Sequence, residues 1–92
     1  MNRKILTFIL TSICLLFFAR PSVAIVTEYR KAVDAYKKED YKTSYNLILP
    51  LAKKGFAQAQ YNLGVMYGNG KGVAKDYSKA IKWWNLAANQ GN

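Results

Sequence analysis

From Ile25 onward, apolar side chains recur every three or four residues. Val26, Tyr29, Val33 and Tyr36 fall at i, i+3, i+7 and i+10, and Phe56, Ala59, Leu63 and Met66 repeat those intervals. Tyr41, Ser44, Leu47, Ile48, Leu51 and Ala52 make a second kind of stripe, matched further on by Ala80, Trp83, Trp84, Ala87 and Ala88. Each is one face of a helix with 3.6 residues per turn. No segment alternates with a period of two over a useful length, so the pattern is all-α. The predicted helices run Ile25–Lys38, Tyr41–Lys54, Ala57–Tyr67 and Asp76–Gln90, paired as antiparallel hairpins over 25–54 and 57–91. Asp40 and Asp76 stand where N-caps belong, their carboxylates placed to accept from first-turn N–H groups. Gly91 stands where a left-handed C-cap belongs. Pro50 removes a backbone donor and is expected to kink or shorten its helix near the end.

The hairpins repeat. "DYKTSYNLILPLAKKG" (40–55) aligns without a gap on "DYSKAIKWWNLAANQG" (76–91) at a spacing of 36 residues, and a period between about 20 and 50 marks a solenoid. The segment before them reads differently. "MNRK" is a short basic start, "ILTFILTSICLLFFA" is an apolar run, and Ser22 and Ala24 put small residues at the two positions a signal peptidase inspects. A bilayer span needs about 20 apolar residues, whereas this run is shorter and is followed at once by Arg20 and Pro21. The expected division is a signal peptide over 1–24 and a helical repeat domain over 25–92. Cys14, the one cysteine, lies inside the apolar run and leaves with it. The remaining chain has net charge +6 and no disulfide, so packing alone must hold it.

Residues 57–91, "AQAQYNLGVMYGNGKGVAKDYSKAIKWWNLAANQG", resemble one whole unit of the Sel-one-like repeat, a relative of the tetratricopeptide repeat. The matching positions are Ala57, Ala59, Leu63, Gly64, Tyr67, Gly70, Gly72, Val73, Asp76, Lys79, Ala80, Trp83, Ala87, Ala88 and Gly91. Residues 26–55 depart from the pattern, with a shorter turn, "KKED", that has no glycine. The resemblance implies a right-handed superhelix of stacked hairpins that binds other proteins, with no shared catalytic residues. In bacteria such exported repeat proteins look like adaptors in the envelope.

The loop "YGNGKGVAKD" raises nucleotide binding and answers it. A Walker loop needs Gly-Lys followed by Ser or Thr after a buried strand; here Gly70-Lys71 is followed by Gly72 and a helix comes before. The spacing of Gly68, Gly70 and Gly72 also breaks the dinucleotide fingerprint. The glycines read as a connector that reverses the chain at positive φ. Gly64, inside a helix, reads as the close approach of another helix or of an indole from Trp83 or Trp84. The chain has no histidine, and of its carboxylates Glu28, Asp34, Glu39, Asp40 and Asp76 only the neighbours Glu39 and Asp40 lie together, in a turn where they cap. No metal site, cofactor or catalytic residue is expected.

Lys75, Lys79 and Lys82, at i, i+4 and i+7, are expected to line one face of the last helix beside Lys71. With Tyr67 and Trp84 they form the candidate partner surface. The function that follows is an exported protein-interaction module, an adaptor in the periplasm or outside the cell. The alternative is an electrostatic binder of an anionic membrane surface or polymer through the lysine face; export disfavours nucleic acid. Because the sequence stops at Asn92, one residue past Gly91, some of Leu63, Tyr67, Trp84 and Ala88 are expected to stay exposed as an apolar patch open to self-association or a partner.

Overall fold

The computed structural model describes residues 23–90. Most of the expected signal segment and the proposed cap Gly91 lie outside them. Among the described residues every regular element is a helix: α1 over 23–37, α2 at Tyr41–Lys53, α3 at Ala57–Asn69 and α4 at Tyr77–Ala88. The fold is a short helical solenoid, as the periodicity requires. α1 and α2 form the first hairpin, α3 and α4 the second, and α3 packs against both α2 and α4.

The ends of the helices follow from local chemistry. The Asp40 side chain accepts from the Thr43 amide at 3.3 Å, and Asp76 repeats this with the Lys79 amide at 3.1 Å, each satisfying a first-turn donor. After α2, Gly55 is left-handed (φ +96°); its N–H returns to the Ala52 carbonyl at 3.0 Å and that of Phe56 to Leu51 at 3.1 Å, the double bond of a Schellman stop. The turn after α1 closes the same way, with Asp40 N–H on the Ala35 carbonyl at 2.9 Å, but Glu39 occupies the left-handed position (φ +62°). Glu39 thus ends one helix while Asp40 starts the next.

Pro50 does not shorten α2, which runs on to Lys53. The donor it lacks would have met the Asn46 carbonyl, and both residues face solvent, where water serves that carbonyl instead. α3 extends to Asn69, past the expected end at Tyr67, because Gly70 (φ +66°) supplies the stop and the amides of Gly70 and Lys71 both return to the Met66 carbonyl.

The core gathers Ala32, Ile48, Leu51, Ala52, Ala59, Leu63, Tyr67 and Ala80, with Ile25, Tyr29, Tyr45, Trp83 and Trp84 packed against it. Two buried polar side chains join it without loss: Ser44 Oγ donates to the Ala32 carbonyl at 2.8 Å, and Gln60 Nε2 to the Ala52 carbonyl at 3.1 Å. Such pairing removes the penalty of burying a polar group. The stripes of α1 and α3 look alike in sequence but do different things. Ala59, Leu63 and Met66 are buried, whereas Val33 and Tyr36 line an open cleft and Val26 is exposed. Matching the two helices by their ends, 37 and 69, pairs Val33 with Val65 and Ala32 with Gly64. On that register α1 turns Val33 and Tyr36 to the cleft and buries the small Ala32.

Candidate interaction surface

Gly64 is where α4 closes on α3. A Cβ there would overlap the Trp84 indole, and Trp84 Nε1 donates to the Tyr61 carbonyl at 3.2 Å. The glycine, about 1 kcal/mol worse than alanine in a helix, makes room for the ring. Trp84 is thus the residue clasped by its own hairpin, and Trp83 also packs on the core. Gly72 (φ +76°) brings the loop onto the first hairpin; a Cβ would overlap the Tyr41 carbonyl oxygen and lie 2.7 Å from its carbon. The glycine loop is a connector that also seats one hairpin on the other, and Val73 packs against the core. Ala59, Leu63, Ala80 and Ala87 are buried, Ala88 is exposed, and Gly70 and Asp76 hold the loop ends.

The expected partner surface is only partly assembled. Leu63 and Tyr67 are buried and offer no patch. Tyr67 stacks edge-on with Tyr45 at 6.0 Å and shares a 2.9 Å hydroxyl hydrogen bond with it. That bond, and secondarily burial, holds the Tyr45 hydroxyl above its ordinary pKa. Lys75 does not belong to the last helix, because Asp76 caps α4 and Lys75 precedes it. Lysine ammonium groups settle over tyrosine rings, Lys71 over Tyr41 at 4.8 Å, Lys75 over Tyr77 at 4.9 Å and Lys79 over Tyr67 at 5.5 Å, each a modest attraction. Lys79 and Lys82 remain exposed on α4.

Two other surfaces emerge. A cleft of about 350 Å³ lies between α1, α2 and α3, its apolar walls made by Val33, Tyr36, Ile48, Tyr61, Val65 and Met66. Lys37, Ser44 and Asn62 also reach it; Ser44 is held by Ala32, and Asn62 donates to the Tyr29 hydroxyl at 2.6 Å. The signal for this cleft was present in α3, "AQAQYNLGVMYGN", which has no charged residue and apolar residues on more than one face. A helix of that kind is covered on several sides. The second surface is the outer flank of α4, where Tyr77 and Ile81 are exposed and Trp84 borders a shallow notch with Tyr61 and Ala88. Among the described residues no group of three or more potential metal ligands occurs.

Comparison with known proteins agrees with this architecture. A sel1-like repeat-containing protein of Acanthamoeba polyphaga mimivirus is 51% identical over 41 residues, 45% of this chain and 7% of that protein. The DAP3-binding cell death enhancer 1 of Mus musculus is 37% identical over 60 residues, 65% of this chain and 12% of its own length, and its counterpart in Rattus norvegicus is 36% identical over the same share. The chain therefore spans a small fraction of the curated relatives it matches. No solved structure matches it. Sel1 repeats are in general protein-interaction modules without enzymatic activity. The family model of the Sel1 repeat covers residues 57–92, the second hairpin with its glycine loop, and the chain carries one full repeat of that family.

Proposed function

We propose that the chain is an exported interaction module, an adaptor that holds a segment of another protein in the cleft between α1, α2 and α3 and performs no catalysis. The observation that carries this is the cleft itself. Its volume, about 350 Å³, falls in the range of binding pockets, about 300–1,000 Å³, and its aromatic and aliphatic walls with few polar groups suit the apolar anchor residues of a peptide. Binding should therefore tolerate salt. The test is a pull-down from envelope extract with the chain from Ile25 onward, repeated with Tyr36→Ala and Val65→Asp. Capture of a defined protein that both variants lose supports the reading; capture that neither variant changes removes the cleft as the site.

Export rests on residues 1–24, and the processed chain should begin at Ile25. Cleavage there would remove Val23, whose carbonyl accepts the Thr27 hydroxyl at 2.9 Å, and would keep Ile25, which packs on the core. Intact-mass measurement of exported protein decides it; a mass that includes residues 1–24 rejects it.

A second reading has one observation in its favour. Helices α2, α3 and α4 contain no carboxylate, yet α2 and α4 carry Lys42, Lys53, Lys79 and Lys82. That imbalance would draw an anionic lipid surface or polymer, and such binding would fall steeply with salt.

A further inference from the structure

The cleft owes much of its chemistry to the first hairpin. Val33, Tyr36, Lys37, Ser44 and Ile48 all precede residue 57, outside the segment that the Sel1 family model matches. What distinguishes the site therefore belongs to this chain and not to the repeat as such.

Charge is placed unevenly in it. Lys37 is the one ionised side chain among those lining the cleft, and no carboxylate lines it. The α3 wall comes from a helix with no charged residue. Among the described residues Lys37 is in no ion pair, whereas Lys31 is bound by Glu28 at 3.1 Å. The nearest carboxylates along the chain, Asp34 and Glu39, are exposed and lie outside the lining. The other polar groups are already hydrogen-bonded, the Ser44 hydroxyl to the Ala32 carbonyl and Asn62 Nδ2 to the Tyr29 hydroxyl.

The ammonium also marks one end. Lys37 is the last residue of α1, and the register that pairs Val33 with Val65 puts Tyr61 level with Tyr29, eight residues earlier. At about 1.5 Å per residue that is about 12 Å, the length of about four residues of extended chain. One apolar side chain between Tyr61 and Val65 and another against Tyr36 and Met66 fill that length, and the next group at the far end faces Lys37.

We infer that the segment held in the cleft is acidic as well as apolar: two apolar anchors with an Asp or Glu side chain at the end that meets Lys37. This rests on the cleft being the binding site. A complementary charge at the rim selects among partners and fixes the direction of the segment, since reversal would set the carboxylate at the uncharged end beside Tyr61. A side-chain carboxylate suits the site better than a chain terminus, because a terminal carboxylate is captured by a nest of several donors and here one ammonium waits. An exposed ion pair contributes at most about five-fold in affinity, so binding stays largely salt-tolerant and the lysine acts on selectivity.

The probe is a phage-displayed library of random peptides, selected on the chain from Ile25 onward and in parallel on Lys37→Glu. Selection on the parent should enrich alternate apolar residues ended by Asp or Glu, and selection on Lys37→Glu should enrich Lys or Arg at that place. The preferred peptide, measured by fluorescence anisotropy, should bind Lys37→Gln about three-fold more weakly and Val65→Asp at least about ten-fold more weakly. Both Lys37 variants should keep the parent melting temperature, because the residue is exposed. Enrichment of peptides that lack an acidic residue, yet are lost on Val65→Asp, would overturn the inference and leave the cleft standing. Acidic peptides indifferent to Lys37→Glu would overturn it as well, since their carboxylate would then be met elsewhere. If no enriched peptide responds to Val65→Asp, the cleft and the inference fall together.

Discussion

Helices α2 and α4 are built on one pattern and end up in different environments. Both begin at a capping aspartate, and both turn a small residue and an apolar residue toward their own hairpin: Ser44 with Leu51, and Ala80 with Ala87, all buried. They part on the opposite flank. Ala52 is 1% exposed under α3, and its counterpart Ala88 is open. The motif therefore sets which face meets the helix's own partner, and the neighbouring hairpin sets whether the other face is core or surface.

The sharpest way to break the comparison is one substitution made twice. Ala52→Lys forces a long cation into a filled site and should cost about 3 kcal/mol or more, enough to unfold much of so small a domain. Ala88→Lys should change stability by no more than about 0.5 kcal/mol. Urea denaturation of both variants measures the difference, and equal effects would mean that α3 does not cover α2 as described.

Next come the glycines that bring the hairpins together. Gly72→Val requires positive φ of a β-branched residue and drives a side chain into the Tyr41 carbonyl; a loss of about 2 kcal/mol is expected. Gly64→Ala should also destabilise, by about 1–2 kcal/mol, although alanine is the better helix former, because the Trp84 ring must withdraw. A shift in tryptophan fluorescence should accompany it. Lys71→Ala in the same loop should be close to neutral.

The caps should behave alike in both hairpins. Asp40→Ala and Asp76→Ala each remove one side-chain bond to a first-turn amide and should cost about 1 kcal/mol apiece. Glu39→Gly, which gives the first turn the residue that Gly55 supplies after α2, should stabilise by up to about 1 kcal/mol; thermal melting reads both. The smallest effect is on pH. Because the folded Tyr45 hydroxyl is held above its ordinary value by the bond to Tyr67, its contribution is fully present below the unfolded pKa near 10 and is lost as pH rises through the higher folded value. Tyr45→Phe should flatten that alkaline slope in stability against pH, measured as a difference from the parent chain.

The local stretches alone determined the helical class, the hairpins, both aspartate caps and the connector role of the glycine loop. These depend on neighbours within one or two turns, where periodicity, cap chemistry and positive φ act directly. Contacts between distant residues needed the tertiary structure. It decided that Trp84 meets Gly64, that Leu63 and Tyr67 are buried, that Lys75 lies off the helix, and that α1 directs Val33 and Tyr36 to a cleft while α3 buries Leu63. An apolar stripe shows that a helix face seeks cover, but the cover comes from a helix whose angle and offset are set by packing of side chains far apart in sequence. The four extra residues of the second hairpin's loop, seen as a 36-residue spacing between α2 and α4 against 32 between α1 and α3, shift that register, and no single stretch of the chain contains the consequence.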